Sequence, residues 1–130
     1  GKGWVAVALA AAMLDSTWAV PLAGLAVVVG HMYPLFHRFQ GGTREQYENA
    51  LKVVHPDDGK ALPEGQLLHL AGPTDDGWLI VAVHDSQAAW ERFRDDTLLP
   101  GLASVEQGLP GPPEEMTFEV QTFHTQHRST

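Results

Sequence analysis

The run QLLHLAGPTDDGWLIVAVH, residues 66–84, decides how this chain folds. Two apolar runs, QLLHLA and WLIVAVH, flank GPTDDG, a polar segment containing Gly72, Pro73 and Gly77. Short aliphatic and aromatic runs joined by such a segment predict two strands paired as a hairpin. In the second run Trp78, Ile80 and Ala82 share one face, while Leu79, Val81 and Val83 share the other, because successive strand side chains point in opposite directions. Both faces are apolar, so both must be covered. Helices can cover one, and a second copy of the same sheet is the simplest cover for the other.

Working outward, Thr43 and Gln46 have the T-x-x-Q spacing of a capping box. Tyr47, Ala50, Leu51 and Val54 follow at i, i+3, i+4 and i+7, one apolar stripe on a helix of about twelve residues. His55-Pro56-Asp57-Asp58-Gly59 ends that helix. After the hairpin, Asp85 or Ser86 caps a second helix with Ala89, Trp90 and Phe93 inward, which runs to Leu98 before Pro100-Gly101. Met116, Phe118 and Val120 alternate with polar residues and predict a last strand, and LFHRF at 35–39 supplies the first. The predicted order is strand, helix, strand, strand, helix, strand. This is an α+β, ferredoxin-like βαββαβ arrangement with an antiparallel sheet.

The N-terminal residues differ in character. Between Trp4 and Val29 the only polar side chains apart from indole are Asp15, Ser16 and Thr17. The stretch is long enough to cross a bilayer, which takes about 20 apolar residues. Asp15 would then lie near the centre, at roughly 2.5–3.5 kcal/mol. Two short helices, near 4–14 and 18–29, avoid that cost, and the same pattern also fits a signal peptide. The chain carries net charge −8, with +1 up to Gly42 and −9 from Thr43 onward. This balance argues against nucleic acid and anionic lipid as partners of a basic surface. The absence of cysteine excludes disulfides, thiolate metal sites and cysteine nucleophiles. An opening glycine in place of methionine reads as a fragment or a processed product.

Two resemblances follow. GLAVVVGHMYPLFHRFQGG, residues 24–42, resembles the second signature loop of membrane glycerol-3-phosphate acyltransferases that use acyl-phosphate donors, with Gly30, His31, Pro34, Phe36, Phe39, Gly41 and Gly42 matching. The resemblance implies that the loop holds glycerol phosphate through glycine amides and basic side chains. Thr43 and Arg44 stand where that family continues with lysine and glycine, and its other two loops are missing. Residues 1–32 are therefore expected to be an apolar helical leader, an inactive remnant fused to a complete domain.

Residues 34–123, most specifically the hairpin turn through GW into D-S-x-x-A-W-x-x-F, resemble the dimeric α+β barrel superfamily near the antibiotic-biosynthesis monooxygenases. That resemblance implies a homodimeric barrel domain over 33–124, a disordered tail over 125–130, and cofactor-free oxidation or binding of a small apolar or aromatic molecule. His84 stands where many of these relatives carry tryptophan, which weakens any carry-over of haem-degrading chemistry.

The residues singled out are His69 and His84 as catalytic bases or hydrogen-bond donors, since neutral imidazole serves either role. Trp90, Trp78, Arg38 and His37 are singled out as substrate contacts. For His69 the plainer expectation is a core histidine satisfied by a backbone carbonyl, and for both tryptophans large core residues. No metal is expected, because no H-x-x-x-H or H-E-x-x-H spacing occurs to build a helix-borne site and a strand-borne one would need tertiary convergence, and the barrel resemblance implies no cofactor. The barrel is expected in the cytoplasm, with membrane contact only through residues 4–29. Two alternatives stand beside it: a truncated membrane acyltransferase-like protein, or a non-catalytic dimerisation or ligand-carrier module.

Overall fold

The computed structural model describes residues 19–22 and 25–126. The chain divides into two compact units, Tyr33–Phe118 and a second made of Gly1–Met32 with Glu119–Thr130. In the second unit, β1 (Ala19–Leu22) and β2 (Leu25–Val28) pair antiparallel, with Ala19 opposite Val28 and Leu22 opposite Leu25. A helix was expected over residues 18–29, and the strands correct that expectation. Val20, Val27 and Val28 are β-branched and lose χ1 freedom in a helix, and Pro21 is tolerated in a two-stranded ribbon, where every strand is an edge. The helix expected near 4–14 lies outside the described residues, as do residues 127–130 of the expected tail.

The larger unit is α+β. Its antiparallel sheet contains β3 (Tyr33–Gln40), β4 (Gln66–Thr74), β5 (Gly77–His84) and β6 (Glu114–Met116), in the spatial order β4-β5-β3-β6. Helix α1 (Arg44–Val54) crosses between β3 and β4, and α2 (Gln87–Phe93) leads from β5 towards β6. Inserting the hairpin partner between two parallel strands gives the ferredoxin-like order that the sequence predicts.

Local chemistry accounts for each boundary. Thr43 accepts from the Gln46 N–H at 3.2 Å while the Thr43 N–H donates to Gln46 Oε1 at 3.0 Å, a complete capping box. The His55 N–H closes the helix on the Leu51 carbonyl, and Asp57 and Asp58 then take left-handed dihedrals that the chain cannot continue as a helix. The β4–β5 hairpin is longer than QLLHLA and WLIVAVH alone and turns on Asp75-Asp76 only, with Thr74 opposite Gly77. Gly77 is required there, because a Cβ would overlap the Phe39 carbonyl oxygen.

Ser86, not Asp85, caps α2 by accepting from the Ala89 N–H at 3.0 Å. The helix does not stop before Pro100. A π-helical stretch, Arg94–Leu98, shifts the hydrogen-bond register, and α3 (Leu99–Ser104) starts just ahead of Pro100. Proline in a first turn needs no N–H partner, so the helical path continues. The last strand is shorter than expected, ending at Met116, and Met116 and Phe118 are both exposed. The core packs Leu35 from the sheet against Val54 of α1 and Trp90 and Phe93 of α2.

Candidate functional site

The inner face of the sheet, α1, the α2–α3 helical path and the segment 105–113 enclose a cavity of about 600 Å³. Strand alternation puts Leu35, His37 and Phe39 of β3, His69 of β4, and Ile80, Ala82 and His84 of β5 on this wall. Helix α1 adds Tyr47, Ala50, Leu51 and Val54 from the stripe that the sequence marks, and His55 follows at its C-cap. Leu98, Leu102 and Leu109 form much of the opposite wall. The sheet side therefore carries three imidazoles, His37, His69 and His84, while the helix and loop side mixes aliphatic and aromatic residues with Tyr47 and His55.

The hydrogen bonding orders the imidazoles unequally. Tyr47 Oη lies 2.6 Å from His69 Nε2, and His69 Nδ1 lies 2.9 Å from Gln66 Oε1. Because Gln66 Oε1 can only accept, His69 donates from Nδ1, and its Nε2 accepts from the phenol. This is the neutral tautomer, and burial together with neighbouring His55 and His84 favours it by pushing His69 down to about 4. Burial raises the Tyr47 phenol, with Glu48 adding to the effect, so it keeps its proton at neutral pH. His84 is 1 % exposed, and among the described residues neither of its ring nitrogens has a partner. Burial pushes it down to about 4, against an opposing pull from Asp85. Burial also lowers His55, partly offset by a hydrogen bond with the Ala61 backbone.

Four of the six residues singled out from the sequence converge here. His69, His84, Trp90 and His37 all line the cavity, and the His37 ring donates from Nε2 to Glu115 at 3.0 Å. Trp78 does not. It is buried against Tyr47 at 5.2 Å between ring centroids, under Arg44, and its indole N–H has no partner among the described residues. Arg38 points to the other side of the sheet and pairs with Asp76 and with Glu114, the latter at 2.9 Å. His69 is satisfied by side chains and not by the backbone carbonyl expected for it.

Tyr47, His55, Gln66, Arg94 and Glu115 are polar cavity residues that sequence reasoning missed. Tyr47 stood in the apolar stripe, and its place on the inward face was the available signal. Asn49 turns away and donates to the Gln107 carbonyl at 3.2 Å. Among the described residues, no three His, Asp or Glu side chains are placed to hold a metal ion.

The acyltransferase-like loop has a different geometry. Its Pro34 and Gly41 lie at opposite ends of extended β3, about 23 Å apart at the rise of a strand. Gly41 adopts φ 77° and donates its N–H to the Asp76 carbonyl at 2.7 Å. The Gly42 N–H goes to the Phe39 carbonyl at 3.0 Å, and the Thr43 N–H to Gln46. Amides that would cradle a phosphate are thus engaged in the turn into α1. Gly30 and His31 lie in the other unit, in a 3-10 turn (Val29–His31). No helix among the described residues is long and apolar enough to cross a membrane.

Residues 1–44 match the family model described as glycerol-3-phosphate acyltransferase. A glycerol-3-phosphate acyltransferase of Burkholderia multivorans is 43% identical over 127 residues, which is 97% of this chain and 47% of the relative. One from Burkholderia ambifaria is 35% identical over the same extents, and one from Burkholderia vietnamiensis is 46% identical over 61 residues, 29% of its length. No solved structure matches. These relatives correct the expectation of a monooxygenase-like barrel that binds or oxidises a small apolar or aromatic molecule, because proteins aligned along 97% of the chain carry the acyltransferase name. The chain spans about half the length of the curated relatives it matches.

Proposed function

We propose that the chain is a glycerol-3-phosphate acyltransferase-like protein, with its acyltransferase character in residues 1–44 and its α+β unit acting beside that segment without carrying out acyl transfer. The observation that carries this reading is the 43% identity to the Burkholderia multivorans acyltransferase along 97% of the chain. The motif residues Gly30, His31, Pro34, Gly41 and Gly42 fall within the matched residues 1–44 and support it. The engaged amides of Gly41, Gly42 and Thr43 support a non-catalytic α+β unit, since these three donors are spent on the turn and are not available to a phosphate.

In this reading residues 4–29 associate with the membrane, and acyl transfer to glycerol 3-phosphate belongs to a whole protein about twice this length. Carbonate extraction of membranes from cells expressing the chain tests the first point. Retention in the pellet supports the reading, and release into the soluble fraction contradicts it.

A second reading concerns the α+β unit. The outer face of its sheet carries Leu68, Leu70, Met116 and Phe118 at 42%, 58%, 57% and 52% exposure, beside Phe36, Val81 and Val83. An uncovered apolar face of this extent favours association. We propose a second copy of the chain as its cover. Arg38, the charged residue of this face on β3, is already paired with Asp76 and Glu114, and the acidic rim disfavours anionic lipid. Light scattering on size-exclusion eluate should give twice the chain mass, falling to a monomer for Val81→Glu. A wild-type monomer contradicts the second reading.

A further inference from the structure

Three histidines occupy the seams between the sheet and its helices. His84, on β5, meets α2 through Trp90 and Phe93, with ring centroids at 5.3 and 5.8 Å. His69, on β4, meets α1 through the Tyr47 hydroxyl at 2.6 Å. His55, at the end of α1, packs edge-on against His69 at 4.7 Å and against Phe93 of α2 at 6.3 Å. His84 has no acceptor for either nitrogen among the described residues, so a proton added there goes unpaired, and His69 already spends its one donor at Nδ1 on Gln66 with Nε2 turned to the Tyr47 hydroxyl.

The charged and titratable groups around this cluster offer little compensation for a proton. From β3 the cavity receives His37, and from β6 Glu115, which are already paired with each other. Tyr47 enters from α1, and Asp85 follows His84 directly. Arg94, from the π-helical stretch, adds a further positive charge and is held by Asp95 at 2.8 Å. Protonating both His55 and His69 would place like charges in ring contact, 4.7 Å apart between centroids.

We propose that His55, His69 and His84 form an acid-sensitive latch that holds α1 and α2 on the sheet and releases them as the pH falls below neutrality. The direction follows from linkage. With His69 and His84 both depressed to about 4, an open state binds protons that the closed state does not, so closure weakens from pH 6.5 downward and levels off near pH 4.

Amide hydrogen exchange on the full chain, resolved by segment, tests the latch. Between pH 6.5 and 4 the protection of α1 and α2 should fall about tenfold per pH unit for each histidine, close to 100-fold for the pair, ahead of β3 and β5. His84→Phe and His69→Gln should each reduce that slope to about tenfold per pH unit, whatever their protection at pH 7. A slope unchanged in both variants overturns the proposal. So does protection that is equal in helices and strands at every pH, which means that the helices leave the sheet only when the whole unit unfolds.

Discussion

The stretch that carries the family likeness and the stretch that carries unsatisfied polar groups are different parts of this molecule. Along residues 30–44 nearly every backbone donor with a recorded partner serves the fold. β3 pairs on both sides, Gly41 and Gly42 close the turn, and Thr43 caps α1. Across the inner face of the sheet, by contrast, His84 is fully buried with no partner among the described residues, beside a cavity of about 600 Å³. The contrast shows that a matching string of residues and an available site are separate properties. The glycine pair resembles a phosphate loop in sequence, yet an extended β3 and a capping box give the same residues a structural use.

The sharpest way to break that contrast is to remove what encloses the cavity. Phe93→Ala deletes a ring packed against His84, His55 and Trp90, and should cost about 3–5 kcal/mol in urea unfolding. A loss below about 1 kcal/mol would mean that the helical layer is not seated on the sheet as described.

Next in size is the pH dependence. His69 and His84 are held well below their ordinary value, so stability should be fully present above pH 6.5 and decline towards pH 4. The decline is about 1.4 kcal/mol per pH unit for each histidine that titrates only in the unfolded state. Denaturation midpoints collected across that range would measure it.

Thr43→Ala should cost about 1 kcal/mol by removing the cap of α1, measured by thermal or urea unfolding. The smallest effect is expected at Arg38, whose partners Asp76 and Glu114 sit with it at the surface. Arg38→Ala should leave stability unchanged within error, and a large loss would place Arg38 in a site that the sheet's outer face does not show.

Much of the α+β unit was legible because its signals are local. The T-x-x-Q capping box, the Tyr47–Val54 stripe and the alternation of 78–84 each fix an element without reference to the rest. The π-helical stretch was not legible, since Pro100 reads as a stop until the preceding hydrogen bonds change register. Residues 18–29 misled for a related reason. Continuous apolar composition suits a buried helix as well as a strand, and only the valines favoured the latter.

The site was partly legible. His69 and His84 stood out as strand-borne histidines, whereas Tyr47, Gln66 and His55 join them only through tertiary convergence. The function assigned from the barrel resemblance failed because the same fold serves many chemistries, and the relatives that align along the chain carry a different name.

The central claim is that the Gly41-Gly42 turn builds the fold and does not cradle a phosphate. Titrating glycerol 3-phosphate into the isotopically labelled chain while following the Gly41, Gly42 and Thr43 amide resonances tests it most directly. The account predicts no saturable shift in any of the three up to millimolar ligand. Saturable movement of the Gly41 and Gly42 amides, with loss of their bonds to Asp76 and Phe39, would contradict it.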